Sequence, residues 1–102
     1  MSWVAVGAAE GSEGELRAVE AGGRYLALAF TGGRWYAFDD DCTHEECPLS
    51  DGMLEGTRIT CGCHFSEFDL ETGAVLEGPA TEPIGVYPVE VVDGELRIDL
   101  PS

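Results

Sequence analysis

The sequence contains no lysine, asparagine or glutamine, and its five basic side chains are all arginine. Against them stand twenty aspartates and glutamates, so the formal net charge is −15. A surface this acidic repels nucleic acid and anionic lipid, and we expect neither as a partner. The charge fits either simple solubility or rapid association with basic patches on partner proteins.

Long apolar runs are also missing. No stretch approaches the roughly 20 apolar residues that span a membrane. The start, Met1–Gly7, lacks the basic segment and apolar run of a signal peptide. We therefore expect a cytoplasmic monomer without a membrane anchor. A length of 102 residues predicts one domain, 1–102, with a core small enough that a bound metal would help to stabilise it.

No segment has a sustained helical period. Short runs of apolar residues are instead separated by turn signals at Gly22-Gly23, Gly32-Gly33 and Asp93-Gly94. Glu95–Leu100 alternates most regularly, with every second residue apolar. This predicts an all-β fold, in which a small antiparallel barrel or sandwich forms the base and the cysteine segments form a lobe at about 40–84. Within the lobe, strands are predicted at 57–60, 67–70 and 74–76, between loops. The aromatic residues expected to pack in the core or in the hairpins are Trp3, Tyr25, Phe30, Trp35 and Phe38.

Two short segments, Asp41–Leu49 and Thr60–Ser66, contain all four cysteines and both histidines of the chain. Each segment offers one thiolate and one imidazole at close spacing, as Cys-x-His and Cys-x-x-His. Thiolate and imidazole ligands suit zinc or iron–sulfur centres rather than calcium or magnesium. The candidate ligands are Cys42, His44, Cys61 and His64.

Ligand chemistry alone leaves two kinds of centre open. Two cysteines and two histidines suit a tetrahedral zinc site. They equally suit a Rieske [2Fe–2S] cluster, which has two cysteines on one iron and two histidines on the other. A plant-type ferredoxin is disfavoured, because its third cysteine would fall on Ser50.

The two segments, with Pro48–Gly52, Phe68–Gly73 and Leu76–Ala80, resemble the soluble Rieske-type ferredoxins of bacterial aromatic-ring oxygenases. The resemblance covers most of the chain, from about Trp3 to Leu100. It implies one [2Fe–2S] cluster, with the cysteines on the inner iron and the histidines on the outer iron. The ligand residues would be Cys42, Cys61, His44 and His64.

The resemblance also implies a function. Such a protein carries single electrons from an NAD(P)H-dependent flavin reductase to a terminal Rieske oxygenase that hydroxylates an aromatic ring. It is a component of that system and not itself an enzyme. Two alternatives stay open, namely the small subunit of an assimilatory nitrite reductase and a zinc-stabilised β module for protein interaction.

Three residues beside the predicted ligands match family positions that tune the cluster. Ser66 matches a serine that donates to a cluster sulfide, and Phe68 stands where high-potential members have a tyrosine. Pro79 lies in the loop that shields the cluster from water. One donor is missing, and nearby negative charge favours the oxidised state, so we predict a midpoint potential on the order of −150 mV to slightly above zero. The acidic residues concerned are Asp39, Asp40, Asp41, Glu45 and Glu46. If these carboxylates are solvated and screened instead, they do not lower the midpoint potential.

Cys47 and Cys63 stand where respiratory-chain Rieske proteins carry a disulfide between the two cluster loops. The resemblance therefore implies a Cys47–Cys63 disulfide. In a cytoplasmic protein the alternative is two free thiols. Phe65, beside His64, is expected to be exposed and to contribute to a docking surface.

Overall fold

The computed structural model describes residues 2–41, 47–63 and 65–101. Within those residues the regular structure is β, apart from one turn of 3₁₀ helix at Leu49–Asp51. No helix there is long and apolar enough to cross a membrane. The strands are β1 Ser2–Ala8, β2 Glu15–Ala21, β3 Arg24–Thr31, β4 Arg34–Asp39, β5 Met53–Glu55, β6 Arg58–Thr60, β7 Glu67–Asp69, β8 Val75–Glu77, β9 Val86–Tyr87, β10 Val89–Val92 and β11 Glu95–Leu100.

The strands form three antiparallel sheets. An outer sheet has the order β1-β11-β10, a middle sheet β2-β3-β4-β9, and a lobe sheet β5-β6-β7-β8. The predicted turns Gly22-Gly23 and Gly32-Gly33 join β2 to β3 and β3 to β4, and all four glycines have positive φ. Two consecutive positive-φ residues suit the tight turn of a β-hairpin, which explains the glycine pairs. The all-β prediction is confirmed.

Strand β3 is the centre of the molecule, because both of its faces are buried. Leu26 and Leu28 point into a core that the middle sheet shares with the outer sheet, where they meet Leu96 and Ile98. The intervening Ala27 and Ala29 point into a second core, shared with the lobe. Alternation of side chains along a strand sorts these residues onto opposite faces. The second core contains Ala27, Ala29, Phe38, Leu49, Ile59, Cys61, Phe68, Leu70, Ala80 and Ile84.

The lobe contains a four-stranded sheet. The strands predicted at 57–60, 67–70 and 74–76 correspond to β6, β7 and β8. The fourth strand, Met53–Glu55, was not predicted, because three residues carry no alternation long enough to indicate a strand. The prediction for the aromatic residues holds in part. Trp35 and Phe38 are buried, and Phe30 is half-buried with its ring centroid 5.0 Å from that of Trp35. Trp3 and Tyr25 are 46% and 66% exposed and are not core residues.

Candidate metal centre

Cys61 is the one predicted ligand that the described residues include. Cys42, His44 and His64 lie outside them, so the ligand set as a whole stays a prediction. Cys61 directly follows β6, and its side chain is fully buried in the core that also holds Ile59 and Phe68. Among the described cysteines it is the one with a free thiol. A buried thiolate facing the interior is a suitable donor for zinc or iron–sulfur.

The loop after Cys61 is closed by two backbone hydrogen bonds. The Cys61 N–H donates to the Ser66 carbonyl at 2.8 Å, and the Phe65 N–H donates to the Cys61 carbonyl at 3.0 Å. Phe65 has a φ of 62°, in the left-handed region, and its side chain is 61% exposed, as predicted. The loop therefore presents a buried sulfur at its base and an exposed aromatic ring four residues later.

Ser66 joins this loop to the segment that contains Pro79. The Ser66 hydroxyl is buried, and its Oγ accepts a hydrogen bond of 3.0 Å from the Ala80 N–H. The Gly78-Pro79 peptide bond is cis, with Pro79 exposed and Ala80 buried. A serine hydroxyl that accepts one hydrogen bond still has a proton to donate. The structure thus places a hydroxyl donor and the proline segment beside the Cys61 loop.

Cys47 and Cys63 form a disulfide, with their Cα atoms 6.5 Å apart. It joins the residue before Pro48 to the loop that follows β6. The Sγ atoms of Cys47, Cys61 and Cys63 all lie within 4.8 Å of one another. The covalent link therefore runs directly beside the predicted ligand Cys61.

Asp40 anchors the first cysteine segment, a role that sequence reasoning missed. Its carboxylate is buried and accepts the Ser50 N–H at 2.7 Å and the Ser50 hydroxyl at 3.1 Å. Its carbonyl oxygen accepts the Leu49 N–H at 2.5 Å, and an isolated bridge pairs Asp41 with Pro48. The two ends of the segment are thereby held together. A solvated, screened carboxylate is the wrong description of Asp40.

Asp39 makes a similar connection to the chain that follows Pro79. Its carboxylate accepts the Gly85 N–H at 3.0 Å and the Tyr87 hydroxyl at 2.5 Å. Burial, and then the hydrogen bond and charge of Asp39, raise the pKa of Tyr87. A Cβ on Gly85 would lie 2.6 Å from the Asp39 carboxylate, so the contact needs glycine. No local pattern predicts these contacts, because Gly85 and Tyr87 follow Asp39 by 46 and 48 residues.

Phe68 lies in β7, opposite Ile59 of β6 and Val75 of β8, and is fully buried in the core that contains Cys61. An aromatic side chain therefore does pack beside the predicted ligand, without the hydroxyl of a tyrosine. The described donors are one thiol at Cys61 and one hydroxyl at Ser66. They fit an iron–sulfur cluster, and by themselves they also fit zinc.

Comparison with known proteins favours an iron–sulfur cluster over a zinc site. The family described as Rieske [2Fe-2S] domain matches residues 2–88. The ferredoxin component of the naphthalene 1,2-dioxygenase system of Pseudomonas putida is 40% identical over 101 residues, covering 98% of this chain and 97% of that protein. The ferredoxin subunit of the 3-phenylpropionate/cinnamic acid dioxygenase of Shigella flexneri is 42% identical over 78 residues, covering 76% of this chain and 74% of that one.

Solved structures show the same likeness. The Sphingomonas yanoikuyae B1 ferredoxin superimposes with a TM-score of 0.91 at 35% identity, over 98% of this chain and 100% of that one. A chain in the complex of reduced oxygenase and oxidized ferredoxin of carbazole 1,9a-dioxygenase gives 0.87 at 37% identity, over 94% of this chain and 100% of that one. Both likenesses extend over nearly all of the sequence.

Proposed function

Because this chain belongs to the family of Rieske [2Fe–2S] domains, we propose that it carries single electrons from an NAD(P)H-dependent flavin reductase to a terminal aromatic-ring oxygenase. Such a cluster, when bound, accepts and releases one electron at a time. The curated relatives are named as ferredoxin components of dioxygenase systems, which supports the proposal. On this proposal the protein acts as a monomer in the cytoplasm, as one domain whose lobe 40–84 holds the site.

We propose the ligand set from the family pattern. Cys42 and Cys61 hold the inner iron, and His44 and His64 hold the outer iron. The buried position of Cys61 at the foot of a closed loop fits the inner role, since it keeps one ligand in the protein interior.

The observation that carries the proposal is the geometry of the Cys61 loop. Its buried sulfur and its exposed Phe65 ring are four residues apart, so a partner that contacts the ring comes close to the site. Ser66 accepts a hydrogen bond from the Ala80 N–H, which ties the Pro79 segment to the Cys61 loop. On this proposal the Ser66 hydroxyl donates to the redox group and the Pro79 segment shields it from water. These residues position and shield a redox group, and they supply an apolar contact for docking.

Reconstitution tests the proposal. The purified holoprotein is mixed anaerobically with NADH and a flavin reductase, and the bleaching of its visible absorption is followed. An aromatic-ring oxygenase, its substrate and oxygen are then added, and the hydroxylated product is counted against NADH consumed. We expect product only when the ferredoxin is present, in a ratio of one NADH to one dihydroxylated product, because each NADH supplies two electrons.

His64→Ala is the matched variant. It should lose the Rieske spectrum and the electron transfer while its far-ultraviolet circular dichroism stays that of the β fold. A colourless wild-type protein that contains zinc would contradict the proposal in favour of an interaction module. A coloured protein that supports nitrite reduction but no ring hydroxylation would identify a nitrite reductase subunit instead.

A further inference from the structure

Three cysteine sulfurs lie together at the edge of the lobe. The Sγ atoms of Cys47, Cys61 and Cys63 are within 4.8 Å of one another. Cys61 is buried, Cys47 is half-buried and Cys63 is exposed. Two of the three are joined in the disulfide, and Cys61 keeps a free thiol. Under the ligand set proposed above, only Cys61 among them serves the cluster.

Reduction of the disulfide would turn this group into a different donor set. Tetrahedral zinc binds thiolates at about 2.3 Å, which places its ligand sulfurs roughly 3.8 Å apart. The Cys61 sulfur lies within 4.8 Å of both other sulfurs, so a shift of about 1 Å is enough to bring the three to that spacing. A disulfide sulfur is a poor ligand, since the thiolate is the form that binds metal. While the disulfide is closed, Cys47 and Cys63 cannot act as thiolate ligands. Together with Cys61 they would otherwise suit a soft divalent cation.

The backbone would keep the sulfurs close after the disulfide opens. Cys61 is fixed by its hydrogen bonds to Ser66 and Phe65. The chain beside Cys47 is fixed by the Asp41–Pro48 bridge and by the bond from the Leu49 N–H to Asp40. Cys63 lies on an exposed turn, where its side chain has room to rotate. Three thiolates held in this way act at high effective concentration.

We propose that the Cys47–Cys63 disulfide is a metal-selectivity lock. When a dithiol reduces it, two electrons and two protons pass to Cys47 and Cys63, and the dithiol becomes a disulfide. The three cysteines then bind one zinc-like cation, which takes Cys61 away from the cluster. While the disulfide is closed, Cys61 has no competing thiolate neighbours, and the site accepts the iron–sulfur cluster. The inference rests on the proposed function only for the role of Cys61 as a cluster ligand.

A cadmium challenge of the holoprotein tests the lock. Cadmium stands in for zinc because its thiolate complexes absorb in the ultraviolet. Wild type is compared as isolated and after anaerobic reduction by a water-soluble phosphine, which becomes the phosphine oxide by taking oxygen from water and is then removed. The double variant Cys47→Ser/Cys63→Ser has neither the disulfide nor the two thiols. Visible absorption, bound cadmium and titrated thiols are measured in each sample.

We expect cadmium to remove the cluster from reduced wild type about tenfold faster or more than from the double variant, because thiolates held on adjacent loops raise metal affinity through effective concentration. Reduced wild type should bind one cadmium per chain with three thiols protected. Oxidised wild type should keep its colour. If the double variant folds poorly, reduced wild type whose Cys47 and Cys63 have been alkylated takes its place.

Equal cluster loss from reduced wild type and from the thiol-free protein would overturn the proposal, since the disulfide would then only brace the loops. Retention of the cluster in every sample would overturn it as well. Two titratable thiols in the protein as isolated would show that the lock is not closed. Electron uptake from a reductase by the untreated protein does not enter any of these outcomes, so the two proposals fail separately.

Discussion

The middle sheet and the lobe sheet lie on two sides of one core, yet they are held together by different means. Strands β2, β3 and β4 are six to eight residues long and continue each other through hairpins. The four strands of the lobe sheet have three residues each. A short strand contributes few ladder hydrogen bonds and little buried apolar area, so the lobe needs other contacts.

In the described part of the lobe, the disulfide, the Asp40–Ser50 hydrogen bonds and the Ser66–Ala80 hydrogen bond each fix one segment, in addition to the apolar core shared with the middle sheet. The middle and outer sheets are longer-stranded and share an apolar core of their own. From this difference we expect that removing a single side-chain contact destabilises the lobe locally. Truncating a core side chain of the middle or outer sheet should instead lower the free energy of unfolding of the whole protein.

Two leucine truncations should show this difference most strongly. Leu28 and Leu49 are both fully buried, the first between the middle and outer sheets and the second in the core shared with the lobe. Leu28→Ala should lower the free energy of unfolding by about 3 kcal/mol, because it leaves a cavity in the base. Leu49→Ala should speed hydrogen exchange in β6 and β7 more than in β3 and β4.

Amide hydrogen exchange resolved by strand, together with urea unfolding, measures both effects. The two variants remove the same atoms, so each serves as the control for the other. If both variants change exchange in the two sheets by the same factor, the molecule opens as one unit, and the proposed distinction between base and lobe is wrong.

Asp40→Ala should have the next largest effect and should act on the lobe. It removes the acceptor for both the Ser50 N–H and the Ser50 hydroxyl, leaving donors without partners. We expect a loss of about 2 kcal/mol and faster loss of cluster colour on heating. Asp41→Ala is the matched control, because Asp41 is exposed and carries the same formal charge. Equal effects of the two substitutions would point to charge rather than to the hydrogen bonds.

Ser66→Ala should cost less, about 1 kcal/mol, because it leaves a single buried N–H, that of Ala80, without its acceptor. It also removes the hydroxyl proton beside the site, so the midpoint potential should fall. Ser12→Ala, which removes the same hydroxyl from an exposed position, serves as the control for stability. A normal potential in Ser66→Ala would show that this hydroxyl does not act on the redox group.

Much of the fold could be predicted from short-range patterns. The glycine pairs and the alternation of Glu95–Leu100 indicate hairpins, because turn chemistry and the two-residue period are local properties. In the lobe, β6, β7 and β8 could be predicted in this way, but β5 and the pairing of the four strands could not. A strand of three residues is too short to show a period, and pairing is a tertiary property.

In the candidate site, too, local sequence patterns could be read and tertiary contacts could not. The cysteine and histidine spacing points directly to a metal centre with Cys61 as a candidate ligand, and the family resemblance adds the Cys47–Cys63 disulfide. The roles of Asp39 and Asp40 were missed because their partners, Gly85 and Ser50, are 46 and 10 residues away. A run of three aspartates has the same composition whether its carboxylates are solvated or bonded, and only the tertiary contacts distinguish the two.

The smallest predicted effect concerns Tyr87 of β9, whose hydrogen bond to Asp39 joins β9 to the end of β4 within the middle sheet. Burial first, and Asp39 second, raise the pKa of this phenol above its ordinary value of about 10. The unfolded chain therefore releases the proton at a lower pH than the folded protein does. The resulting stabilisation is fully present below about pH 10 and is lost as the pH rises through the folded-state pKa.

Urea unfolding of wild type and Tyr87→Phe at about pH 8 and about pH 11 measures this effect, because the two values bracket the unfolded-state pKa of tyrosine. The variant should be less stable at the lower pH, by about 1 kcal/mol, since it lacks the hydrogen bond. Its stability should then decline less steeply toward the higher pH. Asp39→Asn should keep part of the wild-type steepness, because burial is the larger cause of the shift and remains in place. Parallel declines in wild type and Tyr87→Phe would show that the proton of this phenol does not contribute to the stability of the pairing between β4 and β9.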